Sequence, residues 1–118
     1  MLNILIYPKC STCRNAKKWL IENEIAFVER HIVDEPLSVS EIRGIHVESG
    51  YPIKKFFNTS GMKYRELGLK DKITTLTDEE CYELLASDGM LVKRPLAYEG
   101  AKVTLGFKEA VYETMWKE

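Results

Sequence analysis

The apolar positions begin as a short run, Leu2 to Tyr7, interrupted by Asn3 and stopped by Pro8. Such a run bounded by a turn signal predicts a buried strand. From about Ser11 to Asn23 the pattern changes: Cys13, Ala16 and Leu20 recur on one face at helical spacing, which predicts an amphipathic helix. Phe27 to Val33 then alternates, with Phe27, Glu29 and His31 pointing one way and Val28, Arg30 and Ile32 the other, as in a second strand. A strand, helix and strand in this order imply that the two strands lie parallel.

After a loop at Asp34-Glu35-Pro36, Ser38-Val39-Ser40-Glu41 has the spacing of a capping box. It predicts a helix with Val39, Ile42 and Ile45 turned inward and Gly50 at its end. Pro52 to Phe57 reads as a short helix, Asn58 to Gly61 as a turn, and Tyr64 to Leu67 as a helical turn closed by Gly68. A second capping box, Thr77-Asp78-Glu79-Glu80, opens a helix carrying Cys81, Leu84 and Leu85. The pattern then returns to strands. Leu91 to Ala97 is one, and Lys102 to Phe107 alternates after a Glu99-Gly100 turn, so a hairpin is expected. A last helix runs from about Lys108 to Trp116. This order predicts an α/β fold of thioredoxin-like plan: a four-stranded mixed sheet in one domain, 1–118, with a helical insertion at about 37–90.

Composition narrows the function classes. Hydrophobic residues make up 45% of the 118 and charged residues 30%, the balance of a soluble globular chain. The formal net charge of -1 gives no global attraction to nucleic acid or an anionic membrane. The basic pairs Lys17-Lys18, Lys54-Lys55 and Lys93-Arg94 read as solvated surface. The opening apolar run is too short for a signal-peptide core or a membrane span, so a cytoplasmic protein is expected. In a reducing compartment a close cysteine pair points to redox catalysis, redox sensing or metal binding before a structural staple.

That pair is Cys10-Ser11-Thr12-Cys13, placed where a strand ends and a helix begins. Residues three apart in a helical turn are neighbours, so the sulfurs can bridge. The helix N-terminus offers unpaired N–H groups and a partial positive charge, which favour a thiolate at Cys10. Arg14 and Lys17 are expected to add stabilising charge, and such surroundings lower a cysteine pKa to roughly 3.5–7.5 from about 8.5. Cys10 is therefore the expected nucleophile and Cys13 the resolving thiol. Zinc would need two further ligands from Cys81, His31 and His46, and no second close pair exists, so no metal is expected. Cys81 lies among leucines on a helix and reads as core. Neither histidine has a carboxylate or cysteine at a telling spacing.

Arg94-Pro95 opens the third predicted strand. Thioredoxin-like folds place a proline, usually cis, opposite the cysteine pair, and Pro95 fits that role. Arg94 would then stand beside the thiolate, able to bind an oxyanion or a partner's carboxylate.

The segments Tyr7-Pro8-Lys9-Cys10-Ser11-Thr12-Cys13-Arg14, Glu66-Leu67-Gly68-Leu69 and Lys93-Arg94-Pro95-Leu96 resemble the glutaredoxin-type arsenate reductase and Spx family along essentially the whole chain. Phe56 to Gly61 and Leu84 to Met90 resemble its arsenate reductase-like branch. The resemblance to the enzymes implies a nucleophile at Cys10, glutathione with glutaredoxin as reductant, and three oxyanion-binding arginines. Arg94 matches one of these; the others fall near Asn58 and Gly106, which are not arginines. Those enzymes also lack a match to Cys13. Weak arsenate reduction is therefore expected. Spx-type regulators share Cys10-x-x-Cys13 and Arg94-Pro95, which implies binding to the C-terminal domain of the RNA polymerase α subunit. This sequence differs at Phe56 to Met62 and stops at Glu118 without their longer tail. The expected function is thus a thiol-disulfide oxidoreductase or redox-responsive protein with thiol or disulfide substrates and no bound cofactor. Glutathione, glutaredoxin or thioredoxin are the expected reductants. A glutaredoxin-coupled arsenate reductase and an Spx-like regulator are the alternatives.

Overall fold

The computed structural model describes residues 1–117. Glu118, where the sequence ends, lies outside the described residues. The first strand, β1 (Leu2–Ile6), feeds the helix α1 (Ser11–Glu22), which returns the chain to β2 (Phe27–His31). β1 and β2 are parallel, with Leu2 opposite Phe27 and Ile6 opposite His31. A helical stretch follows: α2 (Val39–Ser49), a 3-10 turn at Ile53–Phe56, α3 (Met62–Glu66), α4 (Leu69–Lys72) and α5 (Asp78–Ser87). The chain closes with the hairpin β3 (Leu96–Glu99) and β4 (Lys102–Leu105), then α6 (Glu109–Met115). The sheet order is β2-β1-β3-β4, with β3 antiparallel to both neighbours. This is the expected four-stranded mixed sheet of thioredoxin-like plan.

The central strand β1 explains its own continuous apolar run, because both its faces are buried. Leu2, Ile4 and Ile6 point to α1 and α6, into a core with Cys13, Ala16, Leu20 and Tyr112. Leu5 points the other way, into the core formed with the helical stretch, which includes Ile42, Phe56, Leu85 and Val92.

Both predicted capping boxes form. Ser38 accepts from the Glu41 N–H at 3.1 Å and Glu41 returns the bond to the Ser38 N–H at 3.0 Å. Thr77 and Glu80 repeat the exchange. Gly50 ends α2 with a left-handed φ of 74°, the conformation glycine adopts at least cost. Arg30 of β2 adds a fork to Glu41, at 2.7 and 3.1 Å, and also donates to the carbonyls of Glu35 and Pro36. One side chain thus ties β2, the following loop and the start of α2.

The Arg30 fork and the Ser38 N–H hold the Glu41 carboxyl down to about 2, from an ordinary 4.5. A depressed acid contributes stability that is complete above about 4.5 and fades as pH falls toward 2. Glu41→Gln is therefore expected to lower stability near neutral pH by about 1 kcal/mol, since the pair is partly exposed to solvent. In denaturant titrations the gap between parent and variant should close as the pH approaches 2.

The third strand starts later than its apolar pattern predicts. The Asp88 carboxylate accepts from the Met90 N–H at 2.9 Å and turns Gly89–Leu91 into a 3-10 turn. Val92 then bridges to Phe57, with Asn58 N–H donating to the Leu91 carbonyl and Lys93 N–H to the Phe56 carbonyl, each at 2.7 Å. Leu91 and Val92 are buried by the helical stretch, so their hydrophobicity serves that layer before the sheet begins at Leu96.

Candidate active site

The turn after β1 sets the position of the first cysteine. The Cys10 N–H donates back to the Tyr7 carbonyl at 2.9 Å, and Cys10 occupies the N-cap of α1 in extended conformation. Its thiol makes no capping hydrogen bond, but the N–H groups of Thr12 and Cys13 favour the charged form of the sulfur. Cys10 is half-buried, while Cys13, one turn on, has no exposed surface. The Tyr7 N–H points to the Cys13 sulfur at 3.5 Å. All three cysteines are thiols in this structure.

The two thiols are pushed in opposite directions. Burial alone raises Cys10, but the Cys13 N–H, the Cys13 thiol, the Thr12 N–H and the Arg94 charge outweigh it, and the net shift is downward. Cys13 is pushed up to about 12, chiefly by burial, with the Tyr7 N–H opposing and Cys10 adding to the rise. The first sulfur thus ionises more readily than an ordinary thiol, and the second is held as a protonated thiol.

The charge acting on Cys10 is that of Arg94, which corrects the expectation that Arg14 and Lys17 supply it. Arg14 is exposed on α1 and donates to the Pro8 carbonyl at 3.0 Å. Lys17 pairs with Glu29 of β2 at 2.7 Å. Arg94 instead approaches from the loop before β3, where the Arg94–Pro95 peptide is cis. Its guanidinium lies 5.3 Å from the centre of the Tyr7 ring, a cation–π distance. One terminal nitrogen reaches the Met90 carbonyl at 3.5 Å. Its Nε is buried without a hydrogen-bond partner among the described residues.

A cleft of about 440 Å³ opens at this point. Cys10 and Thr12 form one wall, Asn58 and Ser60 another, and Lys93, Arg94, Gly106 and Lys108 the remainder. Asn58 and Gly106, the positions read as lacking arginine, thus face the thiol, and the lysines are the cations beside Arg94. Lys93, expected as solvated surface, and Lys108 both line this cleft, although nothing local in the sequence links either to Cys10. Cys81 is fully buried, and its thiol is pushed upward by burial, then by Asp78 and Glu80. His46 is held by the Tyr82 hydroxyl at 2.6 Å. His31 accepts from the Val33 and Asp34 N–H groups. Both histidines serve local structure. Among the described residues no helix is long and apolar enough to cross a membrane.

The chain is similar to known proteins over most of its length. The Bacillus subtilis (strain 168) protein named Uncharacterized protein YusI is 56% identical, covering 93% of each chain. The Global transcriptional regulator Spx of Enterococcus faecalis is 29% identical over 92% of this chain and 81% of its own. The crystal structure of a possible arsenate reductase from Streptococcus mutans superimposes with a TM-score of 0.86 at 48% identity, over 92% of both chains. The ArsC family model matches residues 5–115, and the chain belongs to the ArsC family.

Proposed function

We propose that this ArsC-family chain is a thiol-disulfide oxidoreductase of the cytoplasm. The supporting observation is the asymmetry of its two thiols: Cys10 is lowered at the mouth of the cleft, while Cys13 is raised and buried one turn behind it.

The steps follow from that asymmetry. The Cys10 thiolate attacks one sulfur of a substrate disulfide; a mixed disulfide forms and the other substrate sulfur leaves as thiolate. Cys13 then gives its proton to that thiolate and attacks the Cys10 sulfur. The second substrate sulfur leaves as a thiolate and takes a proton from water to complete the dithiol, and the Cys10–Cys13 disulfide carries the oxidising equivalents. An external thiol, such as glutathione or the dithiol of a glutaredoxin or thioredoxin, reduces that bond and restores the pair. Arg94 holds negative charge at the reacting sulfur, and Pro95, which does not itself line the cleft, accepts from the Gly106 N–H through its carbonyl and so ties the Arg94 loop to the Gly106 wall. Asn58 and Gly106 in the cleft leave one arginine for an oxyanion, which favours this reading over arsenate reduction. Binding to the RNA polymerase α subunit rests on the resemblance to Spx alone.

Mass mapping after mild oxidation tests the assignment. The expected product is an intramolecular Cys10–Cys13 disulfide with Cys81 still alkylatable after unfolding. A bridge that includes Cys81 would overturn it.

A further inference from the structure

The cleft at Cys10 does not end there. Lys93, Leu105, Gly106 and Lys108 also line a second groove of about 580 Å³. This groove adjoins the end of β4, between Tyr51 with the 3-10 turn at Ile53–Phe56 on one side and the start of α6 on the other. Its apolar surface comes from Tyr51, Phe57, Leu105 and Val111. Four lysines stand over it: Lys54, Lys55, Lys93 and Lys108. None of them forms an ion pair among the described residues, and no carboxylate lines either cavity. In a chain of net charge -1, this places local positive charge along a path that leads to the reactive thiol.

β4 is also one of the two outer strands of the sheet. Its C-terminal end lies on the Cys10 side, so Leu105 and Gly106 reach the cleft. An outer strand offers backbone groups to an extended peptide, and flanking pockets select its side chains. Lysines beside a sheet edge otherwise serve to repel neighbouring strands. That role favours no charge on a substrate.

We infer that the lysine-lined groove beside β4 binds an extended acidic polypeptide segment and delivers that segment's disulfide to Cys10. The inference rests on the oxidoreductase reading. It adds the chemistry of the substrate: carboxylates spaced along an extended chain next to the reactive cysteine.

The test uses the Cys13→Ser variant, which stops at the mixed disulfide. Three synthetic peptides each carry one cysteine joined to 2-nitro-5-thiobenzoate, flanked by glutamates, glutamines or lysines. Cys10 attacks the peptide sulfur, the disulfide breaks, and the coloured thiolate leaves, so absorbance gives the rate. At low ionic strength the glutamate peptide is expected to react about ten-fold faster than the glutamine peptide. The advantage should disappear near 1 M salt, where the Debye length is about 3 Å. Adding Lys54→Glu/Lys55→Glu should erase the ratio. Lys70→Glu/Lys72→Glu, an equal charge change at exposed positions of α4, should preserve it.

Equal rates for the three peptides, or equal loss in the two double variants, would overturn the groove while leaving Cys10 as a nucleophile. Failure of every peptide to release the chromophore would instead overturn the oxidoreductase reading, and the groove proposal with it.

Discussion

Cys13→Ser is expected to convert short-lived mixed disulfides into stable ones, and Cys10→Ser to abolish them. The difference should approach all-or-none, because the two sulfurs occupy different steps. Cys10 is accessible, lies beside the α1 N–H groups and feels the Arg94 charge. Cys13 has no exposed surface and its pKa is near 12, so it cannot initiate attack on a large substrate. Once Cys10 has reacted, the Cys13 sulfur is already beside it, and closure is intramolecular. Removing Cys13 deletes that route, and the adduct must await an external thiol. Both variants are compared on non-reducing gels after a brief exposure to a disulfide substrate. Adducts in Cys10→Ser at the level of Cys13→Ser would reverse the assigned roles.

Gly89→Ala is expected to cost about 2 kcal/mol or more, although Gly89 lies outside the cleft. A Cβ on this buried glycine would strike the Ile32 carbonyl and crowd the Val33 backbone. Backbone atoms cannot rotate aside as a side-chain end does, so the 3-10 turn must shift away from the loop that follows β2. That turn leads into Lys93 and Arg94, and its displacement would also disturb the cleft. The expected fall in the thermal midpoint is about 10 °C. Gly44→Ala supplies the contrast. Gly44 is exposed within α2 and an added Cβ would meet nothing within 4 Å. This change should stabilise the protein by about 0.5–1 kcal/mol, because alanine loses less backbone entropy in a helix. Destabilisation by Gly44→Ala comparable to that of Gly89→Ala would contradict the steric account.

Local signals made much of the fold readable in the sequence. The first strand, α1 and the second strand follow from periodicity, and Ser38 with Glu41 and Thr77 with Glu80 carry their caps within four residues. The cis peptide before Pro95 was readable from the strand-turn-helix context of the cysteines and the plan it implied. The start of β3 was not. Leu91 and Val92 are apolar because Phe56 and Phe57 pack over them from some 35 positions earlier, and apolar pattern alone does not distinguish that burial from a strand. The charge at Cys10 is hidden from local sequence for a related reason. Arg14 is close in sequence, but its position on α1 turns it to Pro8, whereas Arg94 is brought near by the antiparallel pairing of β1 and β3. Lys108 enters the cleft only because β4 returns to the Cys10 end of the sheet.

The most direct test of the two-thiol account is the rate of iodoacetamide alkylation at each cysteine as a function of pH, resolved by mass spectrometry in the folded, reduced protein. The thiolate alone reacts, so each rate reports its own population. Cys10 is expected to react fastest and reach half its plateau below the ordinary cysteine value of 9.0. Arg94→Ala should move that midpoint upward by removing the charge that helps to lower it. Cys13 should remain unmodified across the range in which Cys10 titrates, because its own midpoint lies near 12. First labelling at Cys13, or two thiols that titrate together near the ordinary value, would contradict the account.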